Sequence, residues 1–168
     1  MAIADTLNNL LFTSTLGLFK AYGVQLAEDP AGAKETASTL AAVVGFTGAA
    51  ISGAVVLVVD SALLRSSTPI PETTERDWLA ELSNQLLGRL KNRLLAYEVE
   101  VAALTPTVLG SVRIVPNGPR NQRQGITMAA EGKRATVWID YQVKDAQRLD
   151  KLARGDAEVG REGDLVLF

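Results

Sequence analysis

The 168-residue sequence contains no histidine and no cysteine. The first absence excludes a Ser-His-Asp triad, a histidine general base and a histidine-ligated metal. The second removes disulfides, thiolate nucleophiles and cysteine–zinc sites, and it fits a reducing cytoplasm. Any chemistry must run on carboxylates, amides, hydroxyls, lysine or a partner's groups. Excess charge of one sign is missing too. Seventeen basic residues face 19 acidic ones, which leaves no general field for nucleic acid. The opening MAIADTLNN lacks the basic flank and apolar run of a signal peptide.

One long uncharged run is present, Leu40–Val59, and its length matches a bilayer crossing. Gly45, Thr47, Gly48, Ser52 and Gly53 interrupt it, and valines cluster toward its ends. Glu35 and Asp60 flank it, with no basic anchor immediately beside it. Two buried strands joined by a turn near Gly48 explain it better than a membrane span. A hydrophobic share of 47% is ample for a packed interior. The length fits a single domain over 1–168, or two small halves sharing a core.

The chain is organised around Thr74–Tyr97, TERDWLAELSNQLLGRLKNRLLAY, which reads as one long amphipathic helix. Pro69 and Pro71 precede it, and Thr74 with Asp77 has capping-box spacing. At about 100° per residue, Leu79, Leu82, Leu86, Leu90, Leu94 and Tyr97 share one side, with Leu87 at its edge. That stripe must face a core. Asp77, Glu81, Asn84, Gly88 and Asn92 lie opposite. Glu81 and Asn84 are three apart and therefore neighbours on the surface. Gly88 continues the row one turn on. Glycine inside a helix costs roughly 1 kcal/mol against alanine; here it leaves a strip without a side chain where another backbone could come close. A solvated helix face is the plain alternative for such a strip.

The remaining segments fall into short elements. A first helix runs to about Tyr22, with Asp5 as its expected cap and Gly23 as its stop. Val24–Leu26 is a short strand candidate, and Glu28–Lys34 a loop. Strands are expected at about Thr36–Phe46 and Ala49–Val59, then a short helix at Asp60–Arg65. Glu98–Leu104 and Val108–Val115 are strand candidates on either side of Pro106. Pro116–Gln124 is a turn-rich loop whose Arg120 and Arg123 either meet an acidic partner or are simply solvated. A hairpin follows across Gly132, from Ile126–Glu131 to Ala135–Tyr141. Asp145–Ala153 is a short helix candidate, and Leu165–Phe168 a final strand candidate.

The two halves echo one another. Asp5-Thr6-Leu7-Asn8-Asn9-Leu10-Leu11 and Glu81-Leu82-Ser83-Asn84-Gln85-Leu86-Leu87 share the pattern acid-x-x-Asn-amide-Leu-Leu. Phe46-Thr47-Gly48-Ala49-Ala50 echoes Ile126-Thr127-Met128-Ala129-Ala130. Either a helix-then-strands unit was duplicated, with pseudo-repeats at about 4–65 and 74–153, or the likeness is chance. Duplication predicts an α+β fold with two long helices side by side on one mainly antiparallel sheet. Phe12 stands in the first helix where Gly88 stands in the second, and on an exposed side it would block close docking there.

Asp77, Glu81, Asn84 and the downstream Pro106 resemble the signature of the chemotaxis phosphatases CheC, CheX and FliY, in particular the CheX-like branch. Phe46-Thr47-Gly48 with Ser52–Leu57, and Leu104–Val108, resemble the segments flanking that helix in the family. The resemblance runs from about Ala4 to Tyr141; Gln142–Phe168 lies outside it. It implies a cytoplasmic phosphatase that acts on a phosphorylated CheY-type response regulator without a covalent intermediate. It implies no cofactor or metal of its own, with Mg2+ bound by the partner. By the same resemblance, Asn84 orients the attacking water and Glu81 pairs with the regulator's active-site lysine. Asp77, Gly88 and Asn92 are the expected partner-binding positions on the same face. The first helix carries Asp5 and Asn8 where the motif needs Glu and Asn, so one site is expected, on the second helix. A homodimer joined through sheet edges is also implied. Two other readings stay open: a module of the same fold that binds a receiver domain or other signalling protein without hydrolysis, and an assembly protein whose strip packs on its own copy.

Overall fold

The computed structural model describes residues 2–30, 38–110, 114 and 125–156. The uncharged run forms a hairpin. Its strands β2 (Thr39–Thr47) and β3 (Ile51–Asp60) pair antiparallel from Thr39 opposite Asp60 to Thr47 opposite Ser52. Their clustered valines suit a pleated, partly buried ladder. Among the described residues, no helix is long and apolar enough to cross a membrane.

The second hairpin joins β6 (Ile126–Ala130) to β7 (Lys133–Val143). Its two turn residues, Glu131 and Gly132, both have positive φ, 51° and 76°. That pair of dihedrals matches a two-residue turn to the right-handed twist of the strands. β3 and β7 pair antiparallel at the centre of the sheet, from Ile51 opposite Val143 to Val59 opposite Ala135.

The edges differ from expectation. The short strand β1 is Ala27–Glu28 on β6, one residue past the Val24–Leu26 candidate. On the other edge, β4 (Ala102–Ala103) and β5 (Thr107–Gly110) both pair with β2. They are two pieces of one edge, parted around Pro106, which has no N–H to give to the ladder. Leu104 N–H still reaches Gly45 O at 2.8 Å. Glu98, expected to open a strand, instead sits in the turn after the helix at φ 60°.

The strand order is β1-β6-β7-β3-β2-β4, with β5 beside β2. Exchange β3 with β7, β2 with β6 and β1 with the β4/β5 edge, and the same order results in reverse. This is the pseudo-two-fold arrangement expected of two helix-then-strands units.

The helices α1 (Ile3–Ala21) and α3 (Glu75–Leu95) pack against each other and against the sheet. Leu7, Leu11, Leu18 and Phe19 of α1 and Leu79, Leu82, Leu86, Leu90 and Leu94 of α3 are fully or almost fully buried. The short α2 (Ser61–Ser67) follows β3. Asp5 is not the cap of α1. Ala2 holds that position, and Asp5, in the first turn, accepts from the Ala2 N–H at 3.1 Å. Phe12 is half-buried and packs on the core, so it is no freely exposed plug. The last expected helix is a 3-10 turn, Gln147–Leu149, running into α4 (Asp150–Arg154). The loop with Arg120 and Arg123 and the strand candidate at 165–168 lie outside the described residues.

Candidate functional site

The site begins with the cap of α3. Thr74 Oγ1 accepts from the Asp77 N–H at 3.1 Å, and its hydroxyl donates to Asp77 Oδ2 at 2.7 Å. An acceptor at this point satisfies one of the helix's orphan donors, and the carboxylate complements the positive end of the helix dipole. Asp77 is exposed, but one of its oxygens already serves its own helix.

From that cap the leucine stripe clamps α3 along its length. Leu79, Leu82, Leu86 and Leu90 have no exposed surface, Leu87 and Leu94 1%, and Tyr97 8%. The opposite face is therefore carried on a rod that cannot roll without unburying its leucines. On that face Glu81, Asn84 and Asn92 are exposed. An i, i+3 spacing places Glu81 and Asn84 one above the other. At Gly88 a Cβ would meet nothing within 4 Å. Three of the candidate positions, Glu81, Asn84 and Gly88, are thus brought together in the open. Pro106 is not on this face; it lies in the sheet edge between β4 and β5. Arg76 ties that edge to α3 by donating to Val108 O at 2.8 Å.

Glu81 is held and Asn84 is not. Gln85 Nε2 donates to Glu81 Oε1 at 2.7 Å, and the Tyr22 hydroxyl donates to Gln85 Oε1 at 2.8 Å. The Tyr22 ring meets Trp78 edge to face, with centroids 4.7 Å apart. Asn84 makes no side-chain hydrogen bond among the described residues. The sequence pattern missed Tyr22 and Gln85. A tyrosine closing an apolar helix needs a partner for its polar tip, but nothing local says where that partner is.

Cavities lie elsewhere among the described residues. A groove of about 790 Å³ opens beyond the C-terminal end of α3, between Lys91, Leu95, Glu98, Glu100 and Arg148. A smaller one, about 310 Å³, lies beside Trp78, Arg65 and Pro71. Neither is lined by Glu81 or Asn84. The strip is a projecting face of α3. Among the described residues, no group of three or more carboxylates is arranged to hold a metal ion.

No protein-family model matches the chain, and no curated protein matches it. Solved structures do. The chemotaxis protein CheX from Vibrio vulnificus is 16% identical, with a TM-score of 0.63 over 81% of this chain and 99% of that one. A CheC-like superfamily protein from Shewanella sp. PV-4 is 15% identical, with a TM-score of 0.66 over 82% and 97%. A chain of the CheX-CheY-BeF3-Mg+2 complex from Borrelia burgdorferi is 11% identical, with a TM-score of 0.51 over 82% and 96%. Identities this low leave the shared architecture as the finding: the chain has the α+β fold of the CheX and CheC-like chemotaxis proteins.

Proposed function

We propose that this chain is a phosphatase that removes the phosphoryl group from the aspartyl phosphate of a CheY-type response regulator. The observation that carries this reading is the pairing of an exposed carboxylate and an exposed amide, Glu81 and Asn84, on a face of α3 that Gly88 keeps open. The CheX-like fold supports it, and so does the existence of a CheX–CheY complex among the proteins of that fold.

The chemistry suits these residues. Phosphoryl transfer passes through a loose transition state, so positioning does most of the work. A carboxamide is a poor base, but it can both donate to and accept from a water. Asn84 enters the regulator's site and holds a water in line with the phosphorus. Glu81 pairs with the regulator's active-site lysine and sets the register of docking. Gly88 lets the regulator's backbone approach, with Asp77 and Asn92 at the two ends of the footprint. Mg2+ is held by the regulator, and the phosphatase needs no cofactor of its own.

Such a substrate places the protein in the cytoplasm. We extend the proposal to a homodimer joined through a sheet edge, which leaves the strip free. The β4/β5 edge supports this, because Leu104 and Leu109 are exposed beside it.

The test is loss of label from candidate phosphorylated receivers mixed with the purified protein. Asn84→Ala is expected to lower turnover roughly 10²–10³-fold, the usual effect of removing one positioned polar group from a transition state. Turnover by the wild type that is unchanged in Asn84→Ala would eliminate hydrolysis through this residue. A receiver that binds without losing label would leave the same face as a docking module. Glu81→Lys should weaken binding in either case.

A further inference from the structure

We propose that Tyr22 and Gln85 are positioning residues that fix the Glu81 carboxylate in its docking rotamer before the regulator arrives. The inference rests on the phosphatase reading above and deepens it.

An exposed glutamate ordinarily samples many rotamers, and ordering it on binding weakens the complex. Glu81 is exposed, yet its Oε1 is tied down by Gln85 Nε2 at 2.7 Å. The direction of this bond follows from elementary inventory. An ionised carboxylate only accepts, so Gln85 must turn its nitrogen to Glu81 and its oxygen away. That oxygen then needs a donor, and the Tyr22 hydroxyl supplies one at 2.8 Å. Reversing the Gln85 amide would set oxygen against carboxylate. The carboxylate therefore decides which way the amide points, and the phenol, by donating to the outward amide oxygen, holds the amide and with it the carboxylate in place.

Tyr22 is itself anchored. Its ring stands against Trp78 at an interplanar angle of 89°. Trp78 is buried, and its indole N–H donates to Ser67 Oγ at 3.0 Å. Ser67 in turn donates to Leu64 O at 3.2 Å. A continuous chain thus runs from the buried Ser67 of α2 to an exposed glutamate. It occupies one oxygen of Glu81 and leaves Oε2 without a partner among the described residues, available to an ammonium group. Asn84 has no comparable support, so its amide is set by the regulator and the water. Loss of the chain should weaken docking and leave the hydrolytic step intact.

Two variants isolate the effect. Tyr22→Phe keeps the ring on Trp78 and removes only the hydroxyl. Gln85→Leu keeps bulk on the helix surface and removes the amide. The first readout is the χ1 scalar couplings of Glu81 by NMR in the free protein, which need no regulator. We expect one dominant rotamer in the wild type and averaged couplings in both variants. The second is turnover of a phosphorylated receiver, where we expect KM to rise about two- to tenfold at unchanged kcat. In a Glu81→Gln background, Gln85→Leu should add no further loss of affinity. Averaged couplings in the wild type, or a single rotamer retained in Tyr22→Phe, would overturn the proposal. So would a fall in kcat with KM unmoved. If no receiver is turned over by the wild type, the phosphatase reading fails by itself, and the couplings still decide the positioning.

Discussion

The indole N–H of Trp78 donates to Ser67 Oγ at 3.0 Å, so the first turns of α3 are pinned to the last turn of α2. Both residues are buried, at 5% and 1% exposure. Trp78→Phe should keep most of the apolar contact but remove the indole donor from Ser67 Oγ, whose hydroxyl keeps its own bond to Leu64 O, at a cost of about 0.5–1.5 kcal/mol. Trp78→Ala should cost more, about 3–5 kcal/mol, because it also empties the space beside Tyr22. Urea denaturation checks both, and an unchanged m-value would show that the losses belong to the folded state.

The cap of α3 predicts a smaller effect with a functional control attached. Thr74→Ala should lower stability by about 1 kcal/mol, while Thr74→Ser should be nearly neutral. Asp77→Ala should cost a similar amount, since its carboxylate accepts from the Thr74 hydroxyl. A rise in KM for the regulator in Asp77→Ala beyond that in Thr74→Ala would measure what Asp77 adds to docking. Equal KM values would confine Asp77 to the cap.

What was legible in the sequence was what is local. The leucine stripe, the Thr74–Asp77 spacing and the valine hairpin are set by periodicity and capping, and each forms where expected. The exposed placement of Glu81 and Asn84 followed from the stripe opposite them. What was not legible depends on contacts between distant parts of the chain. Tyr22 and Gln85 are 63 positions apart, and no pattern in either helix names the other. Asp5 misled because an acid near a helix start fits either a cap or the first turn. Ala2, with no side chain to cap with, holds the position by its extended backbone and by donating its N–H to the Asp5 carboxylate. The edge beyond α3 parts at Pro106, as strand candidates on either side of it anticipate, but that both pieces pair with β2 is a long-range contact no local pattern carries.

Tyr141 makes a pH prediction. Burial pushes its phenol above the usual tyrosine value, and the Asp5 carboxylate adds to the rise. The folded protein then holds the proton to higher pH than the unfolded chain does. That contribution to stability is complete below about pH 10, the unfolded value, and is lost as pH climbs through the folded one. Absorbance titration at alkaline pH should show the Tyr141 transition move down in Asp5→Asn and vanish in Tyr141→Phe. A transition that Asp5→Asn leaves in place would remove Asp5 as a cause.

Two glycines predict opposite signs for one substitution. Gly53 lies in β3 opposite Tyr141, and a Cβ there would sit 2.1 Å from Asp140 O and 2.9 Å from Tyr141 Cα. Backbone cannot swing aside as a side chain can, so Gly53→Ala should destabilise by about 1–3 kcal/mol or more as β7 is pushed away. Gly88 is in mid-helix with open space around it. Gly88→Ala should therefore stabilise the fold by up to about 1 kcal/mol, the intrinsic helix gain. A residue that weakens its own helix and touches nothing has no packing reason to be glycine. Under the docking reading its reason is the space it leaves for the regulator. Gly88→Leu should then raise KM for a phosphorylated receiver while the urea midpoint holds or climbs. A Gly88→Leu protein that is stabilised and binds the regulator as tightly as the wild type would take this face of α3 out of the docking surface.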